Sequence, residues 1–418
     1  MTNAKTLELE QVIYRSAHQS IEDISPLLKY LGYESGGKDL KSLETARDVA
    51  THLRRAGSND FATYLKRLGA GVPYDEVVLD VAQKLKAPGA SEDQSVEHNE
   101  SRIIEKMFAD SLDAMSIDER RALFQSMNLN VVDLPLGSAS TILVQQVIAQ
   151  FGGFATYRFA VVIANMVSRA LLGTGLGLAT NVALTRTIGT LLGPIGWIAT
   201  GAWLAVDLAG PAYRKTVPAV LYVALLRQML MNRVTIGVVG DGSAGKDALI
   251  QHVFRVAGDI NPIAGSTAEA KRYPLGNTGT AFVINYPGFN DYRHSVNAKT
   301  DEMLNHTDVF LMVVDANGGI SGSDQEVLSK VRKFGKPVLI CLNKWDLIRN
   351  PESAKNTFSA ARERFKVSEP DLIATAFDPD PRLGLSHLGR EGVLSWTFEK
   401  LRLVDKSAVA DALKEDLK

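Results

Sequence analysis

The chain has 418 residues with 46 basic and 47 acidic side chains, a formal net charge of −1, so no global basic field marks it for nucleic acid. Hydrophobic residues make up 45% and charged residues 22%, the composition of a folded protein long enough for two or three domains. The single cysteine, Cys341, excludes a disulfide framework and a cysteine metal cluster, and reads as a core thiol in a reducing compartment.

The first ten residues, Met1 to Glu10, hold no apolar signal stretch, so a cytoplasmic location is expected. Residues 1–133 read as an all-α module of about six short helices, separated by Gly, Ser, Pro and Asn. Between Tyr74 and Leu85 the residues Val77, Val78, Val81 and Leu85 fall on one helical face. Ser116-Ile117-Asp118-Glu119 is a capping box, followed by Leu123, Phe124 and Met127 as a buried stripe. His18 and His98 stand alone among polar neighbours and are read as non-ligands. Nothing in this part carries chemistry.

Residues 134–230 form a Gly-rich apolar helical segment in which six basic residues face one acidic residue, Asp207. Thr187 to Val206 is an uncharged run of 20 residues, the length of a bilayer span, yet Gly193-Pro194 interrupts it. Two readings stay open: a hairpin that inserts conditionally at an anionic membrane surface, and fully buried helices of a bundle covered by the N-terminal module. Three stretches in residues 1–230 resemble the uncharacterised bacterial YaaW-like family. They are Gly57-Ser58-Asn59-Asp60-Phe61, Tyr74 to Lys86, and Gly210 to Val220. That resemblance implies no established chemistry; its loose grouping with ubiquinol-cytochrome c chaperones points toward membrane work.

From Val234 a β-branched run reads as a buried strand and stops at Gly240-Asp241-Gly242-Ser243-Ala244-Gly245-Lys246. This is a phosphate-binding loop: glycines let backbone N–H groups turn around an anion, Lys246 supplies a point charge, and the next helix aims its N-terminal dipole there. The plainer alternative is a strand-turn-helix with an ordinary surface lysine. Asn343-Lys344-Trp345-Asp346, after the apolar strand ending at Leu342, settles which kind of P-loop it is. In this N-K-x-D element a carboxylate at Asp346 can pair with two donors of guanine, which adenine cannot offer.

Residues 231–418 therefore read as an α/β P-loop GTPase domain, a doubly wound and mostly parallel sheet. Strands are predicted at 234–239, 280–286, 309–314, 338–342 and 371–375, with helices starting at Asp247, Val296, Asp324, Pro351 and Glu391. The domain resembles the Era-like and YfjP-like bacterial GTPases through the two motifs above, Asp315-Ala316, Gln325 to Leu328, and the Gly335-Lys336-Pro337-Val338 entry to the last motif strand. The resemblance implies GTP/GDP and Mg²⁺ as ligands. It implies nucleotide contacts at Gly240, Asp241, Gly242, Ser243, Ala244, Gly245, Lys246, Asp247, Ala248, Gly288, Asn343, Lys344, Asp346 and Ala376, the last within Thr375-Ala376-Phe377. Lys246 and Thr267 would carry catalysis, with Ser266 competing for the role of Thr267; Asp247, Thr267 and Asn285 would face the metal.

Three departures from that pattern stand out. The P-loop serine or threonine that meets Mg²⁺ is replaced by Asp247, and the D-x-x-G aspartate is replaced by Asn285 in Asn285-Tyr286-Pro287-Gly288. The two changes exchange a carboxylate between strand and loop, either keeping a metal ligand or marking a decayed site. Phe289 stands where a water-orienting glutamine is expected, so slow hydrolysis is anticipated, with Arg272 and Arg293 as candidate cis fingers. The function expected is a nucleotide switch coupled to a helical, membrane-contacting module. Its partners would be guanine nucleotide, anionic lipid and a second copy docking through either domain. The alternatives are a non-hydrolysing scaffold with a degenerate P-loop and, if Asp346 is coincidental, an ATP-dependent protein.

Overall fold

A computed structural model describes residues 7–57, 71–127, 129, 134–176, 213–256, 270–288, 303–380, 385–404 and 406–417. The chain divides into two compact units, Met1–Asn232 and Arg233–Lys418.

Among its described residues the first unit is entirely helical. Its elements are α1 (Leu9–Gln19), α2 (Ile21–Leu31), α3 (Leu43–Ala56), α4 (Tyr74–Lys84), α5 (Val96–Asp113), α6 (Ile117–Ser126), α7 (Ser140–Phe151), α8 (Gly153–Leu172) and α9 (Tyr213–Met231). Local chemistry sets several of these ends. Ser20, Ser42 and Ser95 cap α2, α3 and α5, and Ser116 with Glu119 closes the expected capping box on α6. The valine face of α4 is buried as its periodicity requires.

The described helices of the apolar middle pack on the N-terminal ones: α9 lies against α8, α2, α1 and α5. Both α8 and α9 are buried nearly all round, over Phe154–Ser168 and Thr216–Gln228, which explains why their sequences carry no clean polar stripe. Burying so much helix brings Arg227 of α9 inside, and it is paired there. Arg227, 1% exposed, donates to Glu100 at 2.6 and 3.2 Å, while the Tyr74 hydroxyl donates to the same carboxylate at 2.8 Å. No described helix is long and apolar enough to cross a membrane. The uncharged run 187–206 lies outside the described residues.

The second unit is built on a six-stranded sheet of order β2-β3-β1-β4-β5-β6. Its strands are β1 (Val234–Gly240), β2 (Lys271–Pro274), β3 (Ala281–Asn285), β4 (Val309–Asp315), β5 (Val338–Asn343) and β6 (Leu372–Ala374). All neighbours run parallel except the edge strand β2, antiparallel to β3. β1 and β3 are wholly buried, as expected of strands covered on both faces. Helices α10 (Lys246–Phe254), α11 (Gly322–Arg332), α12 (Pro351–Phe365), α13 (Arg390–Leu403) and α14 (Ser407–Leu417) complete the unit. Val327, Leu328 and Val331 of α11 and Ala361 and Phe365 of α12 enclose a core with Phe310, Met312, Ile340 and Leu342. Cys341 is fully buried on β5, and burial pushes its thiol well above the usual range.

Two elements have no counterpart in the sequence reading. Strand β2 is short, polar and half exposed, so it lacks the apolar run that marked the others. Helix α14 does carry a signal, the buried helical stripe Val409, Ala410, Leu413 and Leu417; it packs on α13, and Asp416 accepts from the backbone of Asn277 at 2.6 Å. Helices α10, α11 and α13 begin one or two residues earlier than their predicted starts. The helix expected from Val296 lies outside the described residues.

Candidate functional site

In an open parallel sheet the carboxyl ends of the strands are where ligands gather, and this sheet delivers its motifs there. β1 ends at Gly240, β3 at Asn285, β4 at Asp315 and β5 at Asn343, with register pairs Val238 to Asn285, Gly240 to Val313 and Asp315 to Asn343.

The loop after β1 has backbone geometry that side chains would obstruct. Gly240 has φ 143°, and a Cβ on it would stand 2.2 Å from the carbonyl oxygen of Val313. Gly245 has φ 99°, and its Cβ would meet Nδ2 of Asn343 at 2.3 Å. Ser243 takes a left-handed φ of 64° without being glycine. Lys246, 7% exposed, curls back to donate to the carbonyl oxygens of Gly240 at 3.1 Å and Asp241 at 2.9 Å. Gly242 and Ser243 are exposed, Ala244 and Ala248 buried. Gly288 closes on the loop from the β3 side: a Cβ there would lie 3.1 Å from the backbone nitrogen of Gly242.

Asn343 joins three loops. Its Nδ2 donates to the carbonyl of Ala244 at 2.9 Å, and its Oδ1 accepts from the backbone N–H of Phe377 at 3.1 Å. The phosphate loop, the N-K-x-D loop and the Thr375-Ala376-Phe377 loop therefore share one amide. Lys344, in the left-handed region at φ 60°, donates to Asp315 at 2.5 Å. Trp345 N–H donates to the carbonyl of Thr375 at 3.1 Å, and Ala376 pairs with Leu388. Asp346 lies half-buried in the one-turn helix Trp345–Leu347, and its carboxylate makes no hydrogen bond or ion pair with another described residue.

Asp247 and Asn285 touch. Asn285 Nδ2 donates to Asp247 Oδ1 at 2.7 Å. Asn285 is fully buried, yet its Oδ1 has no hydrogen-bond partner, an expensive state for an interior acceptor. Burial holds the Asp247 carboxyl above its usual range, against the opposing charges of Lys246 and Lys271. One carboxylate and one orphaned amide oxygen, side by side, form the beginnings of a hard-cation site.

Thr267, Ser266, Phe289 and Arg293 lie outside the described residues. Arg272 sits on β2 with its guanidinium 4.5 Å from the Phe282 ring. Two contributors had no site role in the sequence reading, although Asp315-Ala316 helped carry the family resemblance. Asp315 pairs with Lys344, and Ser323 donates to the side chain of Asp241. Asp315 had a signal in its place at the end of a buried strand; Ser323, in the first turn of a helix, had none.

This fold and loop define a class: residues 235–344 match the model of the 50S ribosome-binding GTPase family, and the second unit is a P-loop GTPase domain. The N-terminal part gives the family of the chain. It is 38% identical over 203 residues to a Helicobacter pylori UPF0174 protein, covering 48% of this chain and 77% of that protein, and the chain belongs to the UPF0174 family. GTPase Der of Akkermansia muciniphila is 28% identical over 157 residues, 34% of each chain. An Aquifex aeolicus Era structure bound to GDP·AlF₄⁻ overlaps with a TM-score of 0.31 at 21% identity, covering 34% of this chain and 50% of that one.

Proposed function

We propose that the protein binds guanine nucleotides at the carboxyl edge of its sheet and turns GTP over slowly, as a switch coupled to its helical unit. The observation that carries this reading is Asn343, whose amide ties the phosphate loop to both base-side loops at 2.9 and 3.1 Å. Lys246 at the loop's end is set to bind the outer phosphates, and the unpaired carboxylate of Asp346 suits the two donors of guanine. Mg²⁺ fits beside Asp247 and the orphaned Oδ1 of Asn285; when bound it would neutralise phosphate charge, with these two side chains holding it. Thr267 remains the candidate that senses the terminal phosphate.

A second reading is favoured by the same contact. In it the Asn285–Asp247 hydrogen bond is self-sufficient, the metal is lost, and the protein is a non-hydrolysing scaffold. Calorimetry with GDP, GTP and ATP tests the first claim: guanine nucleotides should bind well ahead of ATP, and equal affinities overturn it. Phosphate release with and without Mg²⁺ then separates switch from scaffold.

The coupling to a membrane rests on the sequence of residues 134–230: with Arg158 and Arg227 buried, the basic residues Arg169, Arg186, Arg214 and Lys215 against Asp207 are what favours anionic lipid. Flotation with anionic liposomes, nucleotide-free and GTP-loaded, tests it; absence from the floated fraction in both states removes the lipid from this reading.

A further inference from the structure

The stretch that runs from the end of β4 into the first turn of α11 carries none of the nucleotide motifs, yet it reaches the phosphate loop. Asp315 Oδ1 folds the start of the segment by accepting from the backbone of Asn317 at 3.0 Å and of Gly318 at 3.1 Å. At its far end Ser321 and Asp324 make a reciprocal cap on α11: the Asp324 N–H donates to Ser321 Oγ at 3.1 Å and the Ser321 N–H to Asp324 Oδ2 at 2.8 Å. That cap fixes the first helical turn. On it sits Ser323, whose hydroxyl donates to Oδ2 of Asp241.

Asp241 thus faces two ways. Its backbone carbonyl lies inside the loop and accepts from Lys246 at 2.9 Å, while its side chain reaches outside to α11. The loop between has left-handed backbone at Ser243 and Gly245, so helix and sheet ladders do not hold it. A hydroxyl bonded to a carboxylate is among the stronger neutral-to-charged contacts, and here it is the loop's tie to a capped helix.

We propose that Ser323 is a positioning residue for the phosphate loop, anchoring Asp241 to the first turn of α11 so that the loop keeps its anion-accepting shape; this rests on the guanine-nucleotide reading above. Nucleotide residence should then depend on a side chain that belongs to no nucleotide motif. A factor that pulled the β4–α11 segment away would release nucleotide.

Stopped-flow release of a fluorescent GDP analogue from the full chain tests the anchor. Ser323→Ala should release it about tenfold faster, the change that a lost contact of about 1.4 kcal/mol produces, while Ser323→Thr keeps the natural rate and thermal unfolding stays the same. Hydrogen exchange on the nucleotide-free chain supplies the second arm: amides of residues 242–245 should exchange faster in Ser323→Ala, with β5 unchanged. Natural release and natural protection in the alanine variant overturn the proposal. If the natural protein binds no GDP, the nucleotide reading falls, and the exchange arm still decides whether the anchor exists.

Discussion

Two buried cations show how differently the two units use charge. Arg227 in the helical unit is 1% exposed and bound to a carboxylate, Glu100, that is itself 2% exposed. Burial works against its charge, yet Glu100, Tyr74 and Glu97 hold the guanidinium above its ordinary value. Lys246 in the sheet unit is 7% exposed, and it donates to two carbonyl oxygens of its own loop. An arginine matched to a carboxylate is finished chemistry and belongs to folding. A lysine that donates to its own loop's carbonyls can exchange those contacts for an anion, which suits the phosphate-binding role proposed for it.

Breaking Arg227 should therefore give the largest effect, and it should be on stability. Arg227→Met leaves Glu100 charged in the interior, which costs about 3–5 kcal/mol for a broken buried pair. Burial already pushes the Glu100 carboxyl up, and Arg227 pulls it back. Adding Glu100→Gln removes the stranded charge and should recover much of the loss in urea unfolding. If the single change costs under about 1 kcal/mol, the pair is not the closed unit described.

Lys246→Ala should leave unfolding almost unchanged and cut GDP affinity at least about 100-fold, or about 2.7 kcal/mol. In the same assay Asp346→Asn should shift preference toward xanthine nucleotides, whose base presents an acceptor where guanine has a donor. A stable fold with unchanged affinity in the lysine variant would remove the contrast between the two cations.

Much of this contrast was legible beforehand on one side. The phosphate loop, the N-K-x-D element and the parallel sheet follow from residue identities because backbone geometry there admits few side chains: Gly240 and Gly245 have no room for a Cβ. The Arg227–Glu100 pair was hidden, since its partners are 127 positions apart and charge alone does not reveal burial. β2 escaped because its polar edge position erases the apolar signal, and Ser323 because its partner Asp241 is reached only through the fold. The exchange between Asp247 and Asn285 was visible as two departures from a pattern; only the structure brings them to 2.7 Å.

That contact sets a smaller, sharper expectation. Groups in direct contact should not respond additively, and a double-mutant cycle of Asp247→Ser with Asn285→Asp should show a coupling of about 1–3 kcal/mol in Mg²⁺-dependent GTP affinity. Each single change should weaken binding, the first by removing the only carboxylate of the pair and the second by crowding two. The double change restores one carboxylate on the strand side and should recover the Mg²⁺ response. Simple additivity favours the scaffold reading.

The smallest effect belongs to an imidazole pair at the far end of α10. His252 and His387 stack with ring centroids 3.9 Å apart and planes 9° from parallel. Partial burial lowers the His252 pKa, and the nearby charges of His387 and Arg390 lower it further. Because the folded value is depressed, the unfolded chain binds the proton more readily. The stack's contribution is then fully present above the ordinary imidazole value, about 6.5, and is lost as pH falls through the lower folded value. Segment 385–389 would feel this first, since Leu388 pairs with Ala376 beside the base-side loop. NMR titration should place the His252 midpoint below that of a free imidazole, and His387→Ala should raise it. A rise in stability on acidification, or a midpoint indifferent to His387, would show that the two rings do not sense each other.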